Sequence, residues 1–571
     1  MKSRSARLRH IAVLLLLVPA AVSAALFKVG ADAACQFDSI QAAIDAAAAN
    51  GPSLDMVVVA VNQAYTAQAL QIDGHDLWLR GGYASCADSA PAAGARTLLS
   101  GTGNGGQPVL RINMAGTRRG LVTVFDVELT GGQADAGGGM IATGNLQLGL
   151  DGVWVHDNLA GNGGGVYLAG QAAGEPLVVQ TEPSTAGNAT LIEHNHAQRG
   201  GGIYVADATS VSLGGARIAG NTAGYGGGIH VGGALAQAYG SMPTDGSSGA
   251  GIHANEADID GGGVYVTDAA RFYVSRHPGD RAYEIAGNRA GHDGGGVYAD
   301  ANALVTLTKA RVHGNVAGTL ATGHGGGLHA RGGASVLLTG GAPDDGDDRA
   351  CLHALPCAAL LDNSADHGGA AYAAAGGHVS LAFTEISGNH ADAGALLTAS
   401  GAQAAMTVGS SLVHGNSASG ALLQVDSDGR TDLTGSTLVD NAVASVLDLA
   451  ATQSYIGASI LHQPATPILL AHGGVALDLL CVISSSEFGS GVSGDVRVVD
   501  PQFVAAAAGD YRLAPGSPAI DACAPFTGYF RDYALRERGF DQPTVADNGG
   551  PYDIGAWEMP DFDLIFAWGF E

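Results

Sequence analysis

A chain of 571 residues with 89 glycines, 6% aromatic and only 14% charged residues is long enough for a large core but poor in the residues that build long helices. Its glycines lack collagen's three-residue period, and an apolar content of 46% argues against disorder. Lys and Arg number 26 against 53 Asp and Glu, a formal charge of −27, so DNA, RNA or pectate would meet a repulsive field and nucleic-acid binding is not expected.

Residues 1–24 read as a signal peptide. Lys2, Arg4, Arg7 and Arg9 precede the apolar run "IAVLLLLVPAAV", and "VSA" before Ala25 offers small residues for cleavage. About twelve apolar residues are too few to span a bilayer, and later apolar runs are short and interrupted. The chain is therefore expected to be secreted or displayed on the cell surface, with no transmembrane segment after removal of the signal. Residues 25–135 open with "CQFDSIQAAIDAAAAN", where Asp38 or Ser39 would cap a short helix whose Ile40, Ala43, Ile44 and Ala47 form one apolar face. Strand-rich sequence follows, as in "VVVAVNQAYTAQALQIDGHDLWLRGGY".

Residues 136–449 repeat. Runs of "GGG" or a close relative followed by an aliphatic residue begin at Gly137, Gly163, Gly200, Gly226, Gly261, Gly294 and Gly325, with degenerate forms at Gly368, Gly394 and Gly420. The shortest interval is 26 residues and occurs four times; longer ones read as one unit plus a loop insertion. A second mark, an aliphatic residue three positions before an Asn, travels with the first from Val155/Asn158 to Leu438/Asn441. Segments such as "GGGVYV" and "GGGIHV" alternate as a strand buried on one face, with Val166, Ile203, Ile229, Val264, Val297 and Leu328 inward. A unit would hold about three short strands. None can bury its own apolar face, but coils stacked about 4.8 Å apart enclose a continuous one. The expected fold is an all-β, right-handed parallel β-helix with a short N-terminal capping helix. The triple glycine is its corner, and the Asn suits a left-handed turn position with amides bonded from coil to coil.

Residues 450–560 read as last coils and a C-terminal cap, and 561–571 as a short tail. Six cysteines in an exported chain suggest disulfides. Of 15 connectivities the favoured one pairs neighbours in order: Cys35 with Cys86, Cys351 with Cys357, and Cys481 with Cys523. No Cys-x-x-Cys or matched His spacing supports zinc, so neither a metal nor a cofactor is expected.

The paired marks resemble the repeats of bacterial polymorphic outer membrane proteins and related β-helix surface proteins, over roughly Ala136 to Leu449. The N-terminal stretch quoted above resembles the cap of pectate-lyase-like β-helices. "DPQFVAAAAGDYRLAPGSPAIDACAP" and "GPYDIGAWE" are similar to the C-terminal region of secreted choice-of-anchor Q proteins. Asp500, Pro501, Phe503, Tyr511, Leu513, Ser517, Pro518, Ile520, Asp521, Asp553, Ile554, Gly555, Ala556 and Glu558 carry that similarity. The end, "DLIFAWGFE", resembles terminal tails in "GFE" on exported bacterial proteins, and it is too short for an autotransporter barrel.

The candidate ligand-binding residues are Tyr167, Tyr204, His230, Tyr265, Tyr298, His329 and Tyr372, expected to point outward and stack along one face. Such a row would suit the sugar rings of an extended glycan or a partner protein; equally, the rings would stabilise one another and the sheet. No catalytic residue is assigned. "GHG" at residues 323–325 is a fragment of a polygalacturonase-type signature, but here it is the repeat with His324 before the glycines. Asp258 and Asp260 in "DIDGGG" read as solvated turn residues, and Asp344 to Asp348 as an acidic loop. Lys309 and Arg311 are the best basic pair for a lyase, with no acidic cluster matched to them. The expected function is adhesion or glycan or partner binding without catalysis. A polysaccharide lyase or hydrolase on the same scaffold is the alternative, and a structural envelope component a third reading.

Overall fold

The computed structural model describes residues 24–559, apart from 172–174, 242–248, 275–281, 342–357, 427, 451–452, 472–475, 490–491, 493, 527–529 and 543–548. The signal-peptide region, the terminal tail, Asp344 to Asp348, and Cys351 with Cys357 lie outside the described residues. The other two disulfides, Cys35–Cys86 and Cys481–Cys523, join the pairs expected.

The chain winds as a right-handed parallel β-helix. Among the described residues it forms four long parallel sheets of 16, 15, 10 and 14 strands, here called the first to the fourth; the third is confined to the central coils, from Gln133 to Ala418. One turn takes Leu146–Asp151 in the first sheet, Trp154–His156 in the second, Leu159–Asn162 in the third and Val166–Ala169 in the fourth. Period-two alternation does the sorting. Val166, Ile203, Ile229, Val264, Val297 and Leu328 all point into one interior core, at 2% exposure or less.

The coil thus holds four strands, not three. The extra one is the short third-sheet strand between the Asn and the glycines. Its inward position is small throughout: Ala160, Ala197, Ala223, Ala257, Ala290, Ala317, Ala365, Ala391 and Ala418 are all buried. So short and so rich in Ala and Gly, these segments lack the β-branched residues by which a strand is read.

The Asn residues form one ladder from Asn158 to Asn441. Beyond Asn158, each Oδ1 accepts both the backbone N–H and an Nδ2–H of the Asn one coil earlier, as Asn255 does for Asn221 at 3.0 Å each. The left-handed residue is the one before the Asn: Asp157, His194, Ala254, Asp362 and Asp440, or a glycine, have φ near +50 to +70°. With its amide turned inward to bond along the stack, the Asn leaves the bend to its neighbour. At the glycine corner Gly200 has φ +62°, and a Cβ on Gly201 would stand 2.5 Å from the Gly227 carbonyl oxygen of the next coil. The first glycine makes the turn, and the second lets the coils close.

Helix α1 (Ile40–Ala49) closes the N-terminal end of the core with Ile40, Ala43, Ile44 and Ala47. Ser39, not Asp38, caps it, accepting the Ala42 N–H at 3.3 Å. Phe488 joins the core at the far end. The chain beyond residue 500 then turns back over the outside of the second sheet. There Leu513, Ile520, Ala522, Cys523 and Ile554 pack on Ala458, Ile460 and Ile483, and Tyr511, Tyr533 and Ala556 on Leu412 and Val439. The residues that carry the C-terminal similarity tie this strap down. Ser517 Oγ donates to the Pro501 carbonyl at 2.6 Å, Tyr511 OH to Asp440 at 2.9 Å, and the Gly555 N–H to Ala458 O at 2.8 Å.

Candidate functional site

The expected aromatic row exists. In the fourth sheet the strand register sets Tyr167, Tyr204, His230, Tyr265, Tyr298, His329 and Tyr372 one above another. Successive ring centroids are 5.4, 4.7, 4.8, 5.0, 5.0 and 5.4 Å apart, with planes within about 31° of parallel. Parallel strands impose this spacing, so outward rings at one register position can only stack face on face.

Outward does not mean exposed here. His230, Tyr298 and His329 are 5%, 2% and 1% exposed, yet none belongs to the interior core. Their faces are covered by neighbouring rings, and one flank by the residue just before each triple glycine. That position runs Tyr225, Asp260, Asp293, His324 and His367 on successive coils. Tyr225 meets Tyr265 edge to face at 5.4 Å, and His324 lies 4.7 Å from Tyr372 and 5.5 Å from His367. The row therefore offers ring edges and hydroxyls to solvent, with full ring faces only at its ends.

Burial governs the ionisation of this face. It holds Tyr265 and Tyr298 protonated well above the usual phenol range, with Asp260 and Asp300 adding to the effect. It pushes His230 down to about 3 and His329 down to about 4, so both imidazoles are neutral at physiological pH.

The flanking row contains a cluster that the sequence reading passed over. The Asp293 N–H donates to Asp260 Oδ1 at 3.1 Å, and the His324 N–H to Asp293 Oδ1 at 3.0 Å. His324 Nδ1 lies 2.8 Å from that same oxygen, and His329 Nδ1 lies 4.0 Å from the other. Burial, with the Asp293 charge beside it, pushes Asp260 up to about 6. Burial also raises Asp293, but the hydrogen bond from His324 and the two imidazoles outweigh it and leave that carboxyl low. Across the ladder Arg331 Nε stands 3.6 Å from Asp300. Asp260 thus pairs with the next coil's Asp293 and not with Asp258, which is exposed on its own strand. Aligning the residue before each "GGG" was the available signal.

Lys309 and Arg311 are elsewhere. Lys309 sits in left-handed conformation at the corner between the first and second sheets, and Arg311 lies in the second. The carboxylates lie between the third and fourth. A base and an acidic cluster of lyase type are therefore not assembled from these residues. Among the described residues, the group of His, Cys, Asp and Glu close enough to share a metal is Asp32 with Cys35 and Cys86, whose sulfurs are already spent on their disulfide. No described helix is long and apolar enough to cross a membrane.

Neutral buried imidazoles carry a stability cost in acid. The unfolded chain protonates His329 below about pH 6.5, whereas the folded chain resists to about pH 4. Stability is therefore complete above about pH 7 and falls as the pH drops through that window, by on the order of 3 kcal/mol. The charges facing His329 are Asp293, His324 and Arg331. In urea unfolding at pH 7.0 and 4.5, His329→Phe should lose less stability on acidification than the parent; equal losses would refute the assignment.

No family model matches the chain, and none of the curated proteins or solved structures compared with it matches either.

Proposed function

We propose that this chain is an exported β-helix protein that works by binding, presenting a rigid face of constant pitch to an extended glycan or to another surface protein. The observation that carries this is the register. Seven aromatic residues, flanked by Asp260, Asp293, Asp300 and Arg331, repeat once per coil on the fourth sheet. A repeating polymer meets repeating groups on such a surface. Because the ring faces cover one another, contact there runs through hydroxyls, ring edges and the flanking charges. The disulfides and the lack of a described membrane-spanning helix are compatible with an extracellular site. The resemblance to polymorphic outer membrane protein repeats, and of the strap to choice-of-anchor Q proteins, supports display at a bacterial surface.

A second reading keeps one specific observation. On adjacent coils, Asp260 is held up and Asp293 held down, an opposed pair of the kind that would serve acid/base hydrolysis of a glycosidic bond.

One experiment separates the two. The full chain is offered to immobilised and soluble polysaccharides, both neutral and acidic, and retention and new reducing ends are measured together. Retention without product, weakened in Tyr265→Ala, is the expected result. Product that disappears in Asp293→Asn would replace binding by hydrolysis, and neither retention nor product would leave a protein-directed or structural role.

A further inference from the structure

The ladder spends its ring faces internally, but a second place on the molecule does not. Where the C-terminal strap crosses the corner between the first and second sheets it roofs a cleft of about 830 Å³. Ligand sites fall in the range of roughly 300–1,000 Å³. The floor is the outer face of the first sheet. One row runs Thr306, Leu337, Ser380, Thr407 and Asp432, and a parallel row Thr308, Thr339 and Ala382. The wall is Phe383 with Phe530, Leu535 and Tyr552, and Arg531 and Glu537 complete the rim.

Three properties define the occupant. Phe530 is 67% exposed at the lip, so its ring face is open to a ligand, unlike the buried rings of the ladder. The hydroxyls of Thr306, Thr308 and Ser380 make no hydrogen bond with any described residue, although they line the floor at intervals set by the strands. Those floor rows carry a single charge, Asp432, on a chain of net charge −27. A fully apolar ligand would strand the hydroxyls, and a polyanion would meet the field of the whole molecule. An uncharged sugar satisfies all three, with its C–H face against Phe530 and its hydroxyls on the threonines and serine. The floor also continues. Asp432 is shared with an adjoining cleft of about 680 Å³ that runs past Tyr455 to Asp478. Strand spacing of about 4.8 Å sets the pitch of this trough, comparable to the length of one sugar residue.

We infer that the trough beneath the C-terminal strap, centred on Phe530, Thr306, Thr308 and Ser380, binds an uncharged oligosaccharide lying along the helix axis. The corner residue Phe383 fits this picture. Its φ of +53° is costly for a bulky side chain, at a corner that other coils fill with a glycine such as Gly152 or with residues such as Lys309 and Ser410, and the ring packs on Leu535 of the strap beside the trough.

This site deepens the binding reading and rests on it. The test titrates the full chain calorimetrically with cellotetraose, chitotetraose and xylotetraose. At least one should bind, Phe530→Ala should weaken it at least tenfold, and Phe530→Trp should retain it. Phe530 is exposed, so these variants keep the parent's melting temperature. Thr306→Val with Ser380→Ala should weaken binding without altering the fold. Binding by Phe530→Ala equal to the parent overturns the cleft. If polymer retention persists in that case, the general binding reading survives. If no tetrasaccharide binds while polymers are retained, the cleft alone fails. If nothing is bound in either format, the cleft and the glycan reading both fail, and a protein-directed or structural role remains.

Discussion

Asn288→Ala is expected to destabilise the solenoid by about 3–5 kcal/mol, more than a surface substitution of the same size by an order of magnitude. Asn288 Oδ1 accepts the Asn255 N–H and Nδ2–H at 3.0 Å each. Its own Nδ2 donates to Ile252 O at 3.0 Å and to Asn315 Oδ1 at 2.9 Å. Deleting the side chain leaves two buried donors and two acceptors short of a partner, at about 1–3 kcal/mol for each group left unsatisfied and with partial relief from any water that enters. Asn441 ends the ladder and is slightly exposed, so Asn441→Ala should cost less. A stacked array need not unfold in one step, so hydrogen exchange of the coils on either side of residue 288 should be read beside urea unfolding. A loss below about 1 kcal/mol with unchanged exchange would show that the ladder is a consequence of stacking and not a cause of it.

Arg538→Ala is the second large effect, and it acts on the strap. The guanidinium is wholly buried. It donates to the carbonyls of Gly555 at 2.7 Å, Gly435 at 3.1 Å, Arg531 at 3.1 Å and Asp553 at 3.2 Å, and lies 3.6 Å from Glu558. It is thus a single cation pinning the strap to a corner of the coils. Its loss leaves Glu558 buried beside Asp553, whose carboxyl is held well above the usual carboxylate range by burial and by the Glu558 charge. Removing one partner of such a buried pair costs roughly 3–5 kcal/mol. The expected result is release of the strap while the coils stay folded: a new low-temperature transition in calorimetry and proteolysis confined to residues beyond 500. Arg538→Lys should rescue poorly, because an ammonium does not reproduce the fork. A single transition shifted as a whole would mean that strap and solenoid are one cooperative unit. Releasing the strap would also unroof the trough, so the same variant should lose tetrasaccharide affinity.

The solenoid was legible because every coil obeys the same local rules. Alternation sorts Val264 from Tyr265, glycine permits the corner, and an Asn needs only another Asn one coil away. Those constraints lie within some 26 residues of chain and recur, so a reader of the sequence meets the argument ten times. The stacked row from Tyr167 to Tyr372 followed from the same register. The third-sheet strands did not, because alanine and glycine give a strand no signature of their own.

What a side chain experiences was another matter. Tyr298 and His329 are outward by register and buried by their neighbours, a property of several coils together. Asp260 meets Asp293 33 residues later, across a loop insertion that hides the spacing, and their ionisation differs because Asp293 also faces His324 and His329. The strap is further removed still: Leu535 meets Phe383, and Arg538 meets Gly435, at separations no repeat predicts. The amino-acid sequence by itself determined the coil, its corners and its ladders, since periodic local preferences add up along a one-dimensional stack. Tertiary structure alone decided which rings are covered, which carboxylates are paired and where a trough opens, because burial and electrostatics depend on whatever distant chain comes to lie alongside.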